Sequence, residues 1–435
     1  MTTDLSAVAK EKGIKYFLIS FVDLYGVLRA KLVPARAIGD MQKDGAGFAG
    51  FAAWLDMTPA HPDMFGIPDP DSLIQLPWQP EVGWLAADLW MDGKEVEASP
   101  RVALKRQIAK AQKAGYVMMS GVECEYFLIN QDGGAIADAA DVQSKPCYDQ
   151  AALMRRFPVI REICDAMIEL GWGPYQNDHE DANGQFEMNW DYSDSLKTAD
   201  RHVFFKYMVK TIAEKHGLRA TFMPKPFSHL TGNGCHTHVS LWHLTGDNNL
   251  FLDYTDPLGL SQLAYHFLGG IMHHAEALCA IFNPTVNSYK RINAPVTRSG
   301  ATWSPNTVTY AGNNRTHMIR VPDNGRFELR LMDGSANPYL LQAGILAAGM
   351  DGINNRRDPG EPTHINMYEQ GHTIEAAKRL PATLLDALRV MEQSRELHDL
   401  LGEELVKAYL KLKMQDWNDY TRHLSQWERV NTLDC

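Results

Sequence analysis

Residues Gly121-Val-Glu123-Cys-Glu125-Tyr-Phe-Leu128 set two glutamates two apart inside an apolar, strand-forming run. In a strand, positions i and i+2 share a face and lie about 6.6 Å apart along the axis. Two carboxylates on one face among Val122, Tyr126, Phe127 and Leu128 are costly to bury unless something positive sits between them. Three further stretches have the same character. In Asp178-His179-Glu180-Asp181-Ala-Asn-Gly-Gln185-Phe-Glu187, a tight Asn-Gly turn lets Glu180 and Glu187 face inward together. In Gly232-Asn-Gly234-Cys-His236-Thr-His238-Val-Ser240, the side chains of His236, His238 and Ser240 alternate onto one strand face. Arg326-Phe-Glu328-Leu-Arg330 puts its charges on one face and Phe327 and Leu329 on the other.

Any one of these stretches is equally well explained as a structural ion pair. Together they supply five strand-borne glutamates, two histidines and several arginines. Hard oxygen donors with one imidazole suit Mg²⁺ or Mn²⁺ rather than zinc. Two such ions beside arginines make a setting for phosphoryl transfer, with guanidinium groups holding phosphate or carboxylate.

The rest of the chain narrows the class. Its 435 residues carry 53 acidic and 42 basic side chains, a net charge of −11, which disfavours nucleic acid or an anionic membrane as partner. A hydrophobic fraction of 45% and a charged fraction of 22% describe a globular protein without long disordered arms. Six cysteines without a CxxC pair suit reduced thiols. The first residues carry charges where a signal peptide needs an apolar core, and no apolar run approaches the roughly 20 residues of a membrane helix. A soluble, cytoplasmic protein is expected.

Ile14, Tyr16 and Leu18 alternate with Lys15, Phe17 and Ile19 as in a strand, and Tyr25-Gly26 turns the chain into a second extended segment, Val27 to Val33. Residues 45–77 hold no lasting helical period. Ser99-Pro100 opens a helix that Ser99 caps and Gly115 ends. More helices are expected at 149–171, 199–216 and 261–281. The last hundred residues read as mostly helical, with apolar faces at Leu405, Tyr409 and Leu412, then at Trp417, Tyr420, Leu424 and Trp427. The expected architecture is α+β: a small N-terminal sheet domain over 1–96 and a large domain over 97–435. Two motifs are decoys. Gly45-Ala-Gly47-Phe-Ala-Gly50 matches GxGxxG, but a polar run precedes it and Pro59 and Pro62 cut short any helix. His273-His274 falls in a helix, without acidic company expected around it, and a structural role is expected.

Several stretches go further. Phe21-Val-Asp23-Leu-Tyr-Gly26 with Arg29-Ala-Lys31, Ala220 to Pro226, Asn283 to Arg291, and Ala336-Asn-Pro-Tyr339 resemble the glutamine synthetase family over nearly the whole chain. The resemblance implies an N-terminal β-grasp domain and a catalytic domain built on a curved antiparallel sheet with helices. It also implies a dodecamer of two hexameric rings, with active sites between subunits. Position by position, it implies that Glu125, Glu180 and Glu187 hold one metal ion and Glu123, His236 and Glu328 another, as Mg²⁺ or Mn²⁺. It puts glutamate at Gly232, Arg291 and Arg330, beside Glu125 and His236. ATP falls to His238, Ser240 and Arg326, with Arg315 and Arg320 near its phosphates. Among these, Glu187, Arg291 and Arg315 are the implied catalytic groups. The implied reaction activates glutamate as γ-glutamyl phosphate, which an amine then converts to an amide.

Two departures stand out. The family's ammonium site uses an aspartate where this chain runs Phe48-Ala49-Gly50-Phe51-Ala52, and Asn293 stands in place of the family's flap glutamate. An amine is protonated at neutral pH and must lose a proton before it attacks, so another base is needed. Asp178 is the catalytic candidate, with Asp56 and Asp181 behind it. The pattern resembles the type III subgroup, which grades into γ-glutamylmethylamide synthetases. Methylamine is therefore the expected acceptor, ammonia the alternative, and a non-catalytic structural or regulatory relative the reading from another class. Tyr368 falls near a position that some members adenylylate, among residues that match that pattern poorly.

Overall fold

Phe17, Ile19 and Phe21 are buried by the strand Tyr16–Val22, and the chain reverses at Gly26, whose φ of 79° suits glycine, into the strand Leu28–Pro34. The computed structural model describes residues 3–295, 297, 299–374 and 378–435. Tyr16–Val22 pairs antiparallel with Leu28–Pro34 and parallel with Val82–Met91, at the centre of a mixed sheet of seven strands. This is the N-terminal β-grasp sheet of an α+β molecule. Gly45 to Gly50 forms a short strand and a single 3₁₀ turn, with no helix to receive a dinucleotide.

The helix Pro100–Lys113 begins at proline, as expected, and Gly115 follows it at φ 91°. Ser99 sits at the N-cap position, but its hydroxyl makes no capping bond, so the start rests on Pro100 and burial. The segment expected as one helix over 149–171 is two, Gln150–Arg155 and Phe157–Glu169. Pro158 has no N–H to donate and disfavours the helical region for the residue before it, which breaks the run. Helices Ser195–Lys215 and Gln262–Phe282 fall where expected.

A six-stranded sheet runs in the order Ser193–Asp194, Tyr116–Cys124, Cys235–His243, Arg326–Leu329, Ile319–Asp323 and Tyr310–Ala311. It is antiparallel except for its last pair. A four-stranded sheet carries Pro174–His179, Gln185–Trp190, Tyr126–Ile129 and Arg219–Thr221. One main core runs from the N-terminal sheet into these, with Trp84 at 5.6 Å and Trp78 at 5.7 Å from the Phe204 ring.

Behind the sheets, Gln262–Phe282 packs on the Pro338–Asn355 helix, which is buried from Pro338 to Gly352. The apolar period of the C-terminus outruns the core. Leu405, Tyr409 and Leu412 are buried, whereas Leu424 and Trp427 are 60% and 69% exposed. The expected absence of acidic company for His273-His274 is corrected by tertiary packing. His273 Nε2 lies 2.9 Å from Glu396 and His274 Nε2 lies 2.9 Å from Asp351, both acids reached from later helices. Among the described residues, no helix is long and apolar enough to cross a membrane.

Candidate active site

Antiparallel pairing aligns the acids. His236 sits opposite Glu123, His238 opposite Glu328, and Asp178 opposite Glu187. Glu123, Glu187 and Glu328 are borne by strands, while Glu125 and Glu180 lie just past strand ends, where the backbone can turn them inward. Two trios result, Glu125–Glu180–Glu187 and Glu123–His236–Glu328, each with donor atoms within 4.8 Å of one another.

The first trio is a concentration of unneutralised charge. Burial pushes Glu125 up to about 7, and Glu180 and Glu187 well above the carboxylate range, helped by the neighbouring carboxylates. One oxygen of Glu125 accepts from Gly234 N at 2.7 Å and Gln185 Nε2 at 2.8 Å, and Asn189 Nδ2 donates to Glu187 at 2.9 Å. The second trio is mixed. Arg330 and Arg320 donate to opposite oxygens of Glu328 at 2.5 and 2.8 Å. Burial alone would raise Glu328, but Arg330 and the histidines hold it at about 2. Burial, then Arg330, lowers His236 to about 4, so its ring is neutral at pH 7 with Nε2 buried and unpartnered. Hard carboxylates crowded without a cation, and a free imidazole nitrogen, fit divalent ions at both trios.

Gly234 marks the point where His236, Glu125 and Arg291 converge. A Cβ there would lie 2.8 Å from His236 Nε2, 3.0 Å from Glu125 Oε1 and 3.1 Å from Arg291 Nη2. Only glycine leaves that space open. At Gly232 a Cβ would lie 2.2 Å from the Pro224 carbonyl, so the backbone's close approach demands glycine. Arg291 is buried and donates to the Leu331 carbonyl at 3.2 Å.

Arg326 Nη1 donates to His238 Nδ1 at 2.7 Å, which leaves the other ring nitrogen to donate to Glu123 at 2.9 Å. His238, Ser240 and Arg326 line a cavity of about 380 Å³ with Glu123, Tyr175 and Tyr192. Asp178 is adjacent to the first trio with Oδ1 buried and unpartnered, and burial, then Glu123, pushes it up to about 6. Asp181 accepts from Thr231 and Ser299, and Asp56 pairs with Lys411 at 2.6 Å. Arg315 does not join the cluster. It is exposed in a separate recess with Trp303 and His364, and pairs with none of the described acids.

The sequence reading passed over Gln185, Asn189 and Gly234 as functional residues, and weighed Tyr368 only as a site of modification. The Gly-Asn-Gly run held a signal for Gly234. The Tyr368 hydroxyl is buried beside Thr302 and Trp303 and lies within electrostatic reach of Arg330 and Arg291. A hydroxyl so placed is closed to a modifying enzyme in this conformation. Asn293 donates to the Tyr289 and Ala382 carbonyls at 2.9 and 2.8 Å, a structural role that adds no anion.

Comparison with known proteins now decides the family. The model of the glutamine synthetase catalytic domain matches residues 97–432. The chain belongs to the glutamine synthetase family. It is therefore an ATP- and divalent-metal-dependent C–N ligase, and the trios occupy the catalytic domain. A glutamine synthetase from Rhizobium leguminosarum bv. phaseoli is 64% identical over 434 residues, covering 100% of both chains. A glutamate–methylamine ligase from Methyloversatilis universalis is 44% identical, covering 98% of this chain and 97% of that one. A solved structure described as a GmaS/ADP complex superposes with a TM-score of 0.97 at 64% identity, covering 100% of each chain. Glutamine synthetase family members thus similar to this chain carry names for two different acceptors.

Proposed function

We propose that the chain joins glutamate to methylamine, giving γ-glutamylmethylamide. The observation that carries this reading is the loss of both anions that would hold ammonium, at Phe48–Ala52 and at Asn293, beside an intact pair of metal-type trios. Methylammonium needs less electrostatic holding than ammonium because its methyl group gains from an apolar wall. Phe51 and Ala52 supply such a surface.

Arg291 and Arg330 orient glutamate over Gly234. Its γ-carboxylate attacks the γ-phosphorus of ATP, ADP leaves, and γ-glutamyl phosphate forms. Asp178 takes a proton from methylammonium, the freed nitrogen attacks the γ-carbon, phosphate leaves with the carbon–oxygen bonding pair, and the nitrogen's second surplus proton goes to the departing phosphate. Bound at Glu125, Glu180 and Glu187 and at Glu123, His236 and Glu328, Mg²⁺ or Mn²⁺ supplies positive charge for the phosphate oxygens. Arg320, Arg326 and His238 hold the nucleotide, and Tyr175 and Tyr192 offer ring faces to its base. The site divides between a 1–96 domain of one subunit and the 97–435 domain of the next in a dodecamer. Phe51, 52% exposed, and Trp54, 47% exposed, suit such a meeting.

Glutamine synthesis from ammonia is the second reading, favoured by the names of relatives 64% and 62% identical. Phosphate release with Mg²⁺, ATP and glutamate, comparing kcat/KM for methylamine and ammonium, separates the two. A higher value for methylamine is expected, and a preference for ammonium overturns the assignment.

A further inference from the structure

The strand face opposite the carboxylates carries a second chemistry. Cys124 lies between Glu123 and Glu125, and Cys235 immediately precedes His236. Because side chains alternate across a sheet, both thiols point to the underside of the layer that presents Glu123 and His236. The two cysteines are cross-strand partners. Helix Ser195–Lys215 brings His202 to them, with its Nε2 3.8 Å from Cys235 Sγ. All three residues are buried, their donor atoms lie within 4.8 Å of one another, and His202 Nδ1 has no hydrogen-bond partner. The ligase reaction uses none of them.

Two sulfurs and an imidazole are the donor set of a soft ion, not of Mg²⁺. Around a tetrahedral ion, sulfur at about 2.3 Å and nitrogen at about 2.0 Å stand roughly 3.6 Å apart, close to the separation already present. The other histidine cluster, His273–His274–Glu396, contrasts with this. It is partly exposed, and Arg357 already donates to Glu396 at 3.1 Å.

We infer that Cys124, His202 and Cys235 form a site for a thiophilic ion such as Zn²⁺, Cd²⁺ or Cu⁺, and that its occupancy inhibits the ligase. Binding releases the two thiol protons to solvent as two sulfur–metal bonds form. Drawing both sulfurs onto one ion shifts the backbone that carries Glu123, Glu125 and His236. The binding follows from the thiol cluster alone, while the inhibition rests on the active-site reading above.

Cd²⁺ is the probe, added to the full-length protein in saturating Mg²⁺ with Cys147, Cys164 and Cys435 replaced by serine to remove the other accessible thiols. The ultraviolet thiolate-to-cadmium charge-transfer band is read beside phosphate release. The expected result is a band that saturates at one ion per chain, while phosphate release falls at least about tenfold. Cys235→Ser and His202→Gln each weaken the binding at least about tenfold and stay active in Mg²⁺. A missing band, or one unchanged in both variants, overturns the site. A saturated band with undiminished phosphate release overturns the inhibition. If the parent protein lacks ligase activity in Mg²⁺ alone, the active-site reading fails, and the band still reports on the thiols.

Discussion

At the scale of single residues, the site sets paired arginines against unpaired acids. Glu328 is neutralised by two guanidinium groups, whereas among the described residues Glu125, Glu180 and Glu187 form no ion pair and only Glu125 feels Arg291 and Arg330 nearby. Asp178 stands at the edge of the second kind, half-buried, with its Oδ1 enclosed and unpartnered among the described residues. Positioned proton transfer contributes roughly 10²–10⁴-fold to a reaction. Asp178→Asn keeps the volume and removes the base, so amide formation should fall by at least about 10²-fold. Glutamate-dependent ADP formation needs no amine proton and should fall far less. Measuring the two partial activities side by side checks this, and equal losses would reduce Asp178 to a support for Glu180. Alternation and turn spacing, which are local, marked out the glutamates and histidines of the four stretches, and the family resemblance sorted six of them into two trios. Gln185 as a holder of Glu125, and Tyr368 near Arg291, were not, because both depend on segments that meet only after folding.

At the scale of elements, contacts override intrinsic preference. Helix Gln262–Phe282 carries Gly269-Gly270 at its middle, where propensity alone favours alanine by about 1 kcal/mol. Yet a Cβ on Gly270 would lie 2.1 Å from the Ala348 carbonyl and 2.7 Å from Gly352 Cα. Those atoms belong to the backbone of the Pro338–Asn355 helix and cannot rotate aside. Gly270→Ala should therefore lower unfolding free energy by about 1–3 kcal/mol, against its propensity. Denaturant unfolding supplies the sign. A stabilised variant would mean that the two helices do not meet there. The same competition explains where periodicity misled. Pro158 split a helix that hydrophobic spacing ran together, and the face at Leu424 and Trp427 kept its period after the core had ended. The histidine pair found its acids from helices more than seventy residues away, a distance no local pattern spans.

At the scale of the whole molecule, Arg101 ties the N-terminal sheet to the catalytic domain. It is buried, and its guanidinium reaches Asp69 at 2.8 Å, Asp88 at 2.7 Å and Asp200 at 3.0 Å. Burial alone would raise Asp69, but Arg101 outweighs it and holds that carboxyl below its ordinary range. A carboxylate depressed in the folded state stabilises it above the unfolded pKa of about 3.9, and that contribution is lost as pH falls through the folded value. This junction should therefore gain nothing from mild acid and lose its contribution below about pH 4, whereas the raised carboxyls Glu125, Glu180, Glu187 and Asp178 add stability in mild acid to the native protein and its variants alike. Arg101→Met removes the shared cation and leaves the acids behind, at a cost of about 3–5 kcal/mol at neutral pH. The junction's own contribution to the acid response should also reverse in sign. With burial now dominant, Asp69 binds its proton more tightly folded than unfolded, so lowering the pH toward about 5 returns part of the lost stability. Thermal unfolding of both proteins across this range tests the argument. A Tm difference between variant and native protein that stays constant across this range would show that Arg101 does not set the charge state of this junction.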